Sequence, residues 1–223
     1  MPLRNQGLFY YTEVMSTGPK HDVRRHSERQ FHDESEINKV LDNQYVAHVG
    51  FIDPDTQSPY VIPMGFARDN DRILLHGSTG SRIMMLMAKG VELCLTVTQL
   101  NAIVVARSAF NSSMNYESVM IFGKARVLEE DEKDLALERI TEKLIPGMWA
   151  YGRTLTKKES AATMIVELPM DKVSAKSRTG DPSDDDEDLE LGLWAGLIPL
   201  KTIHQPAVSA SNAQGIPVPS HLL

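Results

Sequence analysis

The feature that most constrains this chain is a succession of short runs with alternating apolar character, each closed by a turn signal. Tyr45 to Ile52 (YVAHVGFI) runs into Asp53-Pro54-Asp55, and Tyr60 to Arg68 (YVIPMGFAR) resumes after Pro59. β-branched and aromatic residues suit a half-buried pleated surface and Pro and Asp suit a reversal, so the two runs predict a hairpin. Arg72 to His76 (RILLH) follows a second polar turn, Arg68-Asp69-Asn70-Asp71. Val91 to Thr98, Asn101 to Ser108 and Val119 to Val127 bring the count to about six strands, and Thr163 to Leu168 reads as another. Gly123 falls where a bulge or a close backbone approach is expected. Many short antiparallel strands with helices between and after them predict a mainly β fold, a barrel or sandwich with flanking helices, over a parallel βαβ fold.

The helices have their own signals. Asp33, three residues before Glu36, caps a helix whose Ile37, Val40 and Leu41 share one face. Ser81 to Lys89 makes an apolar helix stopped at Gly90, the position of a left-handed cap. Leu128 to Lys133 opens the longest helix, with Leu135, Leu137, Ile140 and Leu144 expected inward and Pro146-Gly147 ending it. The run Asp184 to Asp188 reads as a solvated loop. These divisions predict an N-terminal arm over 1–23, a barrel domain over 24–201 and a mobile or partner-bound tail over 202–223.

With 30 acidic against 23 basic side chains the formal charge is −7, which argues against general nucleic-acid or anionic-membrane binding, since both need a dense cationic face. Neither a signal peptide nor an apolar span of bilayer length is visible, and the single Cys94 cannot close an intrachain disulfide. A reducing cytoplasm is the expectation, with Cys94 a buried, inert thiol. His21, His26, His32, His48, His76 and His204 lack the spacing of a metal site.

The stretch His76-Gly77-Ser78-Thr79-Gly80-Ser81-Arg82 leaves a strand, passes two glycines and three hydroxyls, and enters a helix with an arginine in its first turn. Free N–H groups, close backbone approach, hydroxyl donors and a guanidinium all suit an anion, a phosphate ester above all. The stretch matches neither Gly-x-x-x-x-Gly-Lys-Ser/Thr nor Gly-x-Gly-x-x-Gly. Read on its residues alone, it serves equally as a turn with Ser78 or Ser81 capping the helix. Asn111 to Ser118 reads first as a plain turn entering a strand. Lys176, Arg178 and Trp194 could hold a planar anion or be surface charge and core.

Three of these segments in order, Tyr60 to Phe66, Ile73 to Arg82 and Asn115 to Arg126, resemble the six-stranded, Greek-key, FMN-binding split barrel of the pyridoxamine 5'-phosphate oxidase-like superfamily. Lys176-Ser-Arg-Thr-Gly180 and Trp194 to Pro199 are similar to the branch containing the nitroimidazole-resistance proteins. The resemblance implies a homodimer with two FMN sites, each built from both chains. It puts the FMN phosphate on His76, Gly77, Ser78, Thr79, Ser81 and Arg82. The flavin ring edge falls against the backbone of Val61, Ile62, Pro63 and Met64, and Tyr116 and Ser118 form the neighbouring wall. Lys176, Arg178 and Trp194 are expected from the other subunit, and His76 is the candidate proton donor to a small-molecule substrate. The chain departs from true pyridoxamine phosphate oxidases in ending Gly-Ile-Pro-Val-Pro-Ser-His-Leu-Leu in place of an arginine-rich segment. The expected function is therefore an FMN-dependent oxidoreductase acting on some other small organic molecule, with a non-catalytic flavin- or haem-binding carrier as the alternative.

Overall fold

The computed structural model describes residues 26–222, so the arm expected over 1–23 lies outside the described residues. β1 (Gln30–Phe31) leads into α1 (Glu34–Asn43), where Asp33 accepts the N–H of Glu36 and Ile37, Val40 and Leu41 are the buried residues. β2 (Val46–Ile52), β3 (Pro59–Asp69) and β4 (Arg72–Ser78) form the expected meander. α2 (Arg82–Ala88) follows and is closed by Gly90 at φ +75°. β5 (Glu92–Val105) pairs with β6 (Ser113–Lys124), and the chain passes through Ala125 into β7 (Arg126–Val127). α3 (Glu130–Leu144), α4 (Met148–Tyr151) and α5 (Lys157–Ala162) make a helical layer. β8 (Thr163–Pro169), β9 (Val173–Arg178), α6 (Asp186–Leu189) and β10 (Gly196–Pro199) complete the order.

The sheet closes because one strand changes partner. β6 lies against β5, but beyond Gly123 its continuation β7 lies against β8, so the path β5-β2-β3-β4-β8-β7 returns to the strand where it began. Counting β6 and β7 as one gives a six-stranded antiparallel barrel, with β9 on the second edge of β6, β1 on β9, and β10 on β5. Gly123 has φ +154°, and a side chain there would press on Leu168 Cδ1 at 3.4 Å, so the close approach expected of this glycine is where the strand crosses over.

Six strands were expected, but the membership differs. Residues 91–98 and 101–108, read as two strands, are the single long β5 with a bulge between Leu100 and Ala102. The two amides Gln99 and Asn101 look like a break, yet both are bonded to Glu117 across the pair, so the strand continues. Thr163 to Leu168 supplies the sixth barrel strand. Asn111 to Ser118 is mostly strand, since β6 starts at Ser113, which corrects the turn reading. The acidic run is also not a plain solvated loop: Asp184 is buried against Arg107, and Asp186–Leu189 is helical. Cys94 is only partly buried, on the outer face of β5, where an interior position was expected. In the tail, His204 meets the Tyr45 hydroxyl at 3.1 Å and His221 packs on Tyr151.

Alternation sorts the side chains into two clusters. Val49, Phe66, Ile73, Leu75, Leu95, Ile121 and Leu168 fill the barrel together with residues of α1 and α2. Ala67, Leu74 and Ile165 face outward onto Ala136, Leu137 and Ile140 of α3. Leu135 was expected inward but is exposed, and Ala136 is buried in its place beside Leu137 and Ile140.

A chain of ion pairs seals the closing seam. Glu167 of β8 is gripped by Arg72 of β4 at 2.5 Å and by Arg126 of β7 at 2.7 Å, and Arg126 also holds Glu132. Burial pushes the Glu167 pKa up, but the two guanidinium groups outweigh it and leave it below the usual carboxylate range. Arg126 first, then the Glu129 N–H, hold Glu132 down to about 2. A depressed carboxylate stabilises the fold above its unfolded pKa and stops doing so as pH falls through the folded value. Stability should therefore be flat around neutrality and fall below the ordinary glutamate pKa. Glu167→Gln should cost about 2 kcal/mol, or about 4–8 °C in Tm, at pH 7 and far less at pH 3, as thermal melts at the two pH values will show.

Candidate functional site

The barrel is split, and the split lies between two of the segments singled out in the sequence. β3 pairs with β2 all along Pro59 to Gly65, but with β4 only through Phe66 to Asp69. Carried on in register, Gly65, Met64 and Pro63 would face His76, Gly77 and Ser78; instead β4 keeps only its β8 partners Ile165, Met164 and Thr163. The edge of β3 over 59–65 thus presents main-chain groups that no strand satisfies among the described residues. In this run Val61 and Pro63 point outward while Ile62 and Met64 pack inward on the core.

Across the split lies the loop 77–81. Gly77 is needed there for packing: a Cβ would stand 2.8 Å from Met84 Cγ, so only glycine lets α2 seat against β4. The Gly80 N–H is bonded to Ser78 Oγ, the Ser81 N–H to the Ser78 carbonyl, and the Thr79 N–H to the Ala162 carbonyl of α5. Ser81 is the N-cap residue of α2, yet its side chain makes no cap bond. The capping reading therefore holds for its position alone, and the Ser81 and Thr79 hydroxyls remain available for an anion. Arg82 is more than half exposed at the end of this loop, with its guanidinium 5.7 Å over the Tyr60 ring and an ion pair to buried Asp53.

His76 lies on the outer face of β4 beside Ile165 and beneath the helical layer, half-buried, with Nδ1 buried and without a hydrogen-bond partner. Burial lowers its pKa below the ordinary histidine value, so the ring is neutral at pH 7.

The remaining predicted residues come together elsewhere. Tyr116 lies opposite Arg178 and Ser118 opposite Lys176, two adjacent rungs on the outer face of β6 and β9. Arg178 donates to Asn115 Oδ1 at 2.5 Å, and Asn115, itself buried, donates to the Gly180 carbonyl. Trp194 is largely exposed and covers Gly196 at the start of β10. The order β3-β2-β5-β6-β9 puts the Val61 to Met64 edge and Lys176 four strand spacings apart, about 19 Å measured along the curved sheet. One chain does not bring the two halves of the predicted site to one ligand.

Between them stretches an apolar outer face. Val46, Val61, Leu100, Ile103, Met114 and Ile198 are exposed there, and Met114, Ile103 and Ile198 form a single rung. Three residues that hold this architecture were missed in the sequence: Asp53, read as a turn; Arg107, which binds Asp184 through its N–H at 2.6 Å and its guanidinium at 2.7 Å; and Asn115. A polar residue that will be buried carries no local signature when its partner is distant in sequence. Among the described residues no group of His, Cys, Asp and Glu could hold a metal ion, and no helix is long and apolar enough to cross a membrane.

The same architecture is found in known proteins. The chain is similar to a FAD and haem binding protein from Mycobacterium smegmatis, 37% identical with TM-score 0.83 over 86% of this chain and 95% of that one. It is similar to a flavocytochrome from Azotobacter vinelandii, 34% identical with TM-score 0.84 over 92% and 95%. A candidate 5-nitroimidazole antibiotic resistance protein from Bacteroides thetaiotaomicron shares the fold at 22% identity and TM-score 0.57, over 66% and 86%. No curated protein sequence matches. The family model for pyridoxamine 5'-phosphate oxidase matches residues 33–177, which takes in the whole barrel, the split and the loop 77–81. With the family model covering well over half of the chain and a relative 37% identical over most of it, this chain belongs to the pyridoxamine 5'-phosphate oxidase family.

Proposed function

We propose that the protein is a flavin-dependent oxidoreductase that binds FMN at the interface of a homodimer and acts on a small organic molecule. The observation that carries this is the split, where an unpaired main-chain edge faces a loop with unused hydroxyls and an arginine. Ser78, Thr79, Ser81 and Arg82 hold the phosphate, and the edge of Val61 to Met64 meets the flavin ring. Tyr116, Ser118, Lys176, Arg178 and Trp194 come from the partner, whose apolar outer face covers this one. The flavin supplies the redox chemistry, and the chain supplies binding, orientation and charge.

His76 is the candidate proton donor, acting as the imidazolium formed when its resting neutral ring takes up a proton from solvent during turnover, because the neutral ring itself is far too weak an acid. His76→Gln should then lower turnover at least about 10-fold with flavin affinity unchanged, the lower range of general acid catalysis or less. Equal turnover would reduce His76 to a wall residue.

A second reading, a haem-bearing carrier on the same barrel, is favoured by the names of the two relatives above 30% identity. A cavity of about 850 Å³ between α3, α4 and α5, lined by Trp149, Met148, Arg153 and Lys157 among others, is of a size for such a group. Assaying the flavin-loaded protein with NADH or NADPH and a panel of nitroaromatic and quinone acceptors separates the readings. Reduction of any acceptor supports the oxidoreductase; retained flavin with no turnover contradicts it.

A further inference from the structure

An arginine that grips phosphate must be held in one place, and the residue that holds Arg82 looked in the sequence like a simple turn former. We infer that Asp53 is the positioning residue of the phosphate site: its buried carboxylate anchors Arg82 and thereby fixes the width of the split. The inference rests on the flavin reading above.

Asp53 is fully buried at the tip of the β2–β3 hairpin. Its Oδ1 accepts the N–H groups of Asp55 at 2.9 Å and Thr56 at 3.1 Å, which would suffice for a turn residue. Its Oδ2 is also buried, makes no such bond, and faces Arg82 Nη2. Burial pushes the carboxyl pKa up, but the Thr56 and Asp55 N–H groups and Arg82 outweigh it, so the group is charged at neutral pH. On its other side Arg82 lies over the ring of Tyr60, which stacks on Phe51 with the planes 16° apart.

Phe51, Asp53 and Tyr60 belong to the hairpin, whereas Arg82 belongs to α2, on the far side of the split. No strand pairing joins β3 to β4 above Phe66 and Leu75, so Asp53, Arg82 and Tyr60 bridge a gap that the sheet leaves open. A free arginine loses side-chain freedom when it is fixed on a ligand. An anchor formed during folding removes much of that cost from binding. The carboxylate takes one edge of a group with five donors, and the side chain stays 55% exposed, so the remaining donors can face phosphate. Fixed geometry outweighs the added negative charge because Asp53 lies behind the guanidinium.

Asp53→Asn keeps the volume and the acceptor for both turn N–H groups and removes the charge that binds Arg82. On apoprotein, dissociation constants for FMN and for riboflavin, which lacks the phosphate, give the test. The variant should bind FMN about 10-fold more weakly, a loss of about 1.4 kcal/mol, and riboflavin as the wild type does. The double variant Asp53→Asn with Arg82→Ala should bind FMN no worse than Arg82→Ala alone. Unchanged or tighter FMN binding overturns the inference, and so does an equal loss for both flavins, which would mark a merely structural role. Wild-type protein that binds neither flavin overturns the functional reading itself, an outcome distinct from both.

Discussion

Replacing Arg82 with alanine should weaken FMN binding by about 100-fold, the equivalent of about 2.8 kcal/mol expected of a charge-assisted contact to phosphate. Riboflavin binding should change little, because the guanidinium lies at the phosphate end of the split. The substitution also leaves the Asp53 carboxylate buried without its partner, so the protein will melt at a lower temperature, and titrations belong well below it. The joint variant Thr79→Ala with Ser81→Ala avoids that cost, since neither hydroxyl bonds to the protein among the described residues. It should lose about 10-fold in FMN affinity, two neutral hydrogen bonds at the lower end, at constant Tm. If both variants keep wild-type FMN affinity, the phosphate lies elsewhere.

The second large effect concerns which chain supplies which half of the site. Arg82 of one subunit and Arg178 of the other are proposed to serve the same flavin, and in a single chain they stand on separate elements, the start of α2 and the end of β9, with different partners. Homodimers of Arg82→Ala and of Arg178→Ala should each be poor flavin binders. Mixed and allowed to exchange subunits, the two variants should regain about a quarter of the wild-type sites, because half the dimers are hybrid and one site in each hybrid is intact. No recovery after demonstrated exchange would place both arginines in one chain's site. The proposed sharing of the site would make the dimer obligate for binding, so dilution that splits it should release flavin, whereas a monomer that keeps FMN would contradict the proposal.

How much of this was legible in the sequence depends on the range of the interaction. Local signals were read faithfully: Asp33 and Gly90 bound their helices, and the turn at Asp53 to Asp55 closes its hairpin. The inward faces of α1 and the barrel strands follow from period alone. What period could not show is partner choice. That β6 changes from β5 to β8 depends on backbone geometry at Gly123, and that Gln99 and Asn101 continue a strand depends on Glu117, many residues further on. The site shows the same division. The hydroxyls and glycines of the loop lie consecutively, so the loop could be singled out from the sequence alone. By contrast, Asp53, Arg107, Asp184 and Asn115 pair with residues distant in sequence, and none of the four carries a local sign of the partner that buries or half-buries it. The acidic run misled for the same reason: five carboxylates in a row imply solvent, yet one of them is buried against a half-buried arginine.

The central claim is that the split holds a flavin, and the visible absorption spectrum of the freshly purified protein, with no cofactor added, tests it most directly. The account predicts flavin bands and, on denaturation, release of FMN identifiable by mass, with FAD marking the larger form of the same cofactor. A Soret band without flavin would move the function to haem. A colourless protein that also fails to take up added FMN would contradict the account.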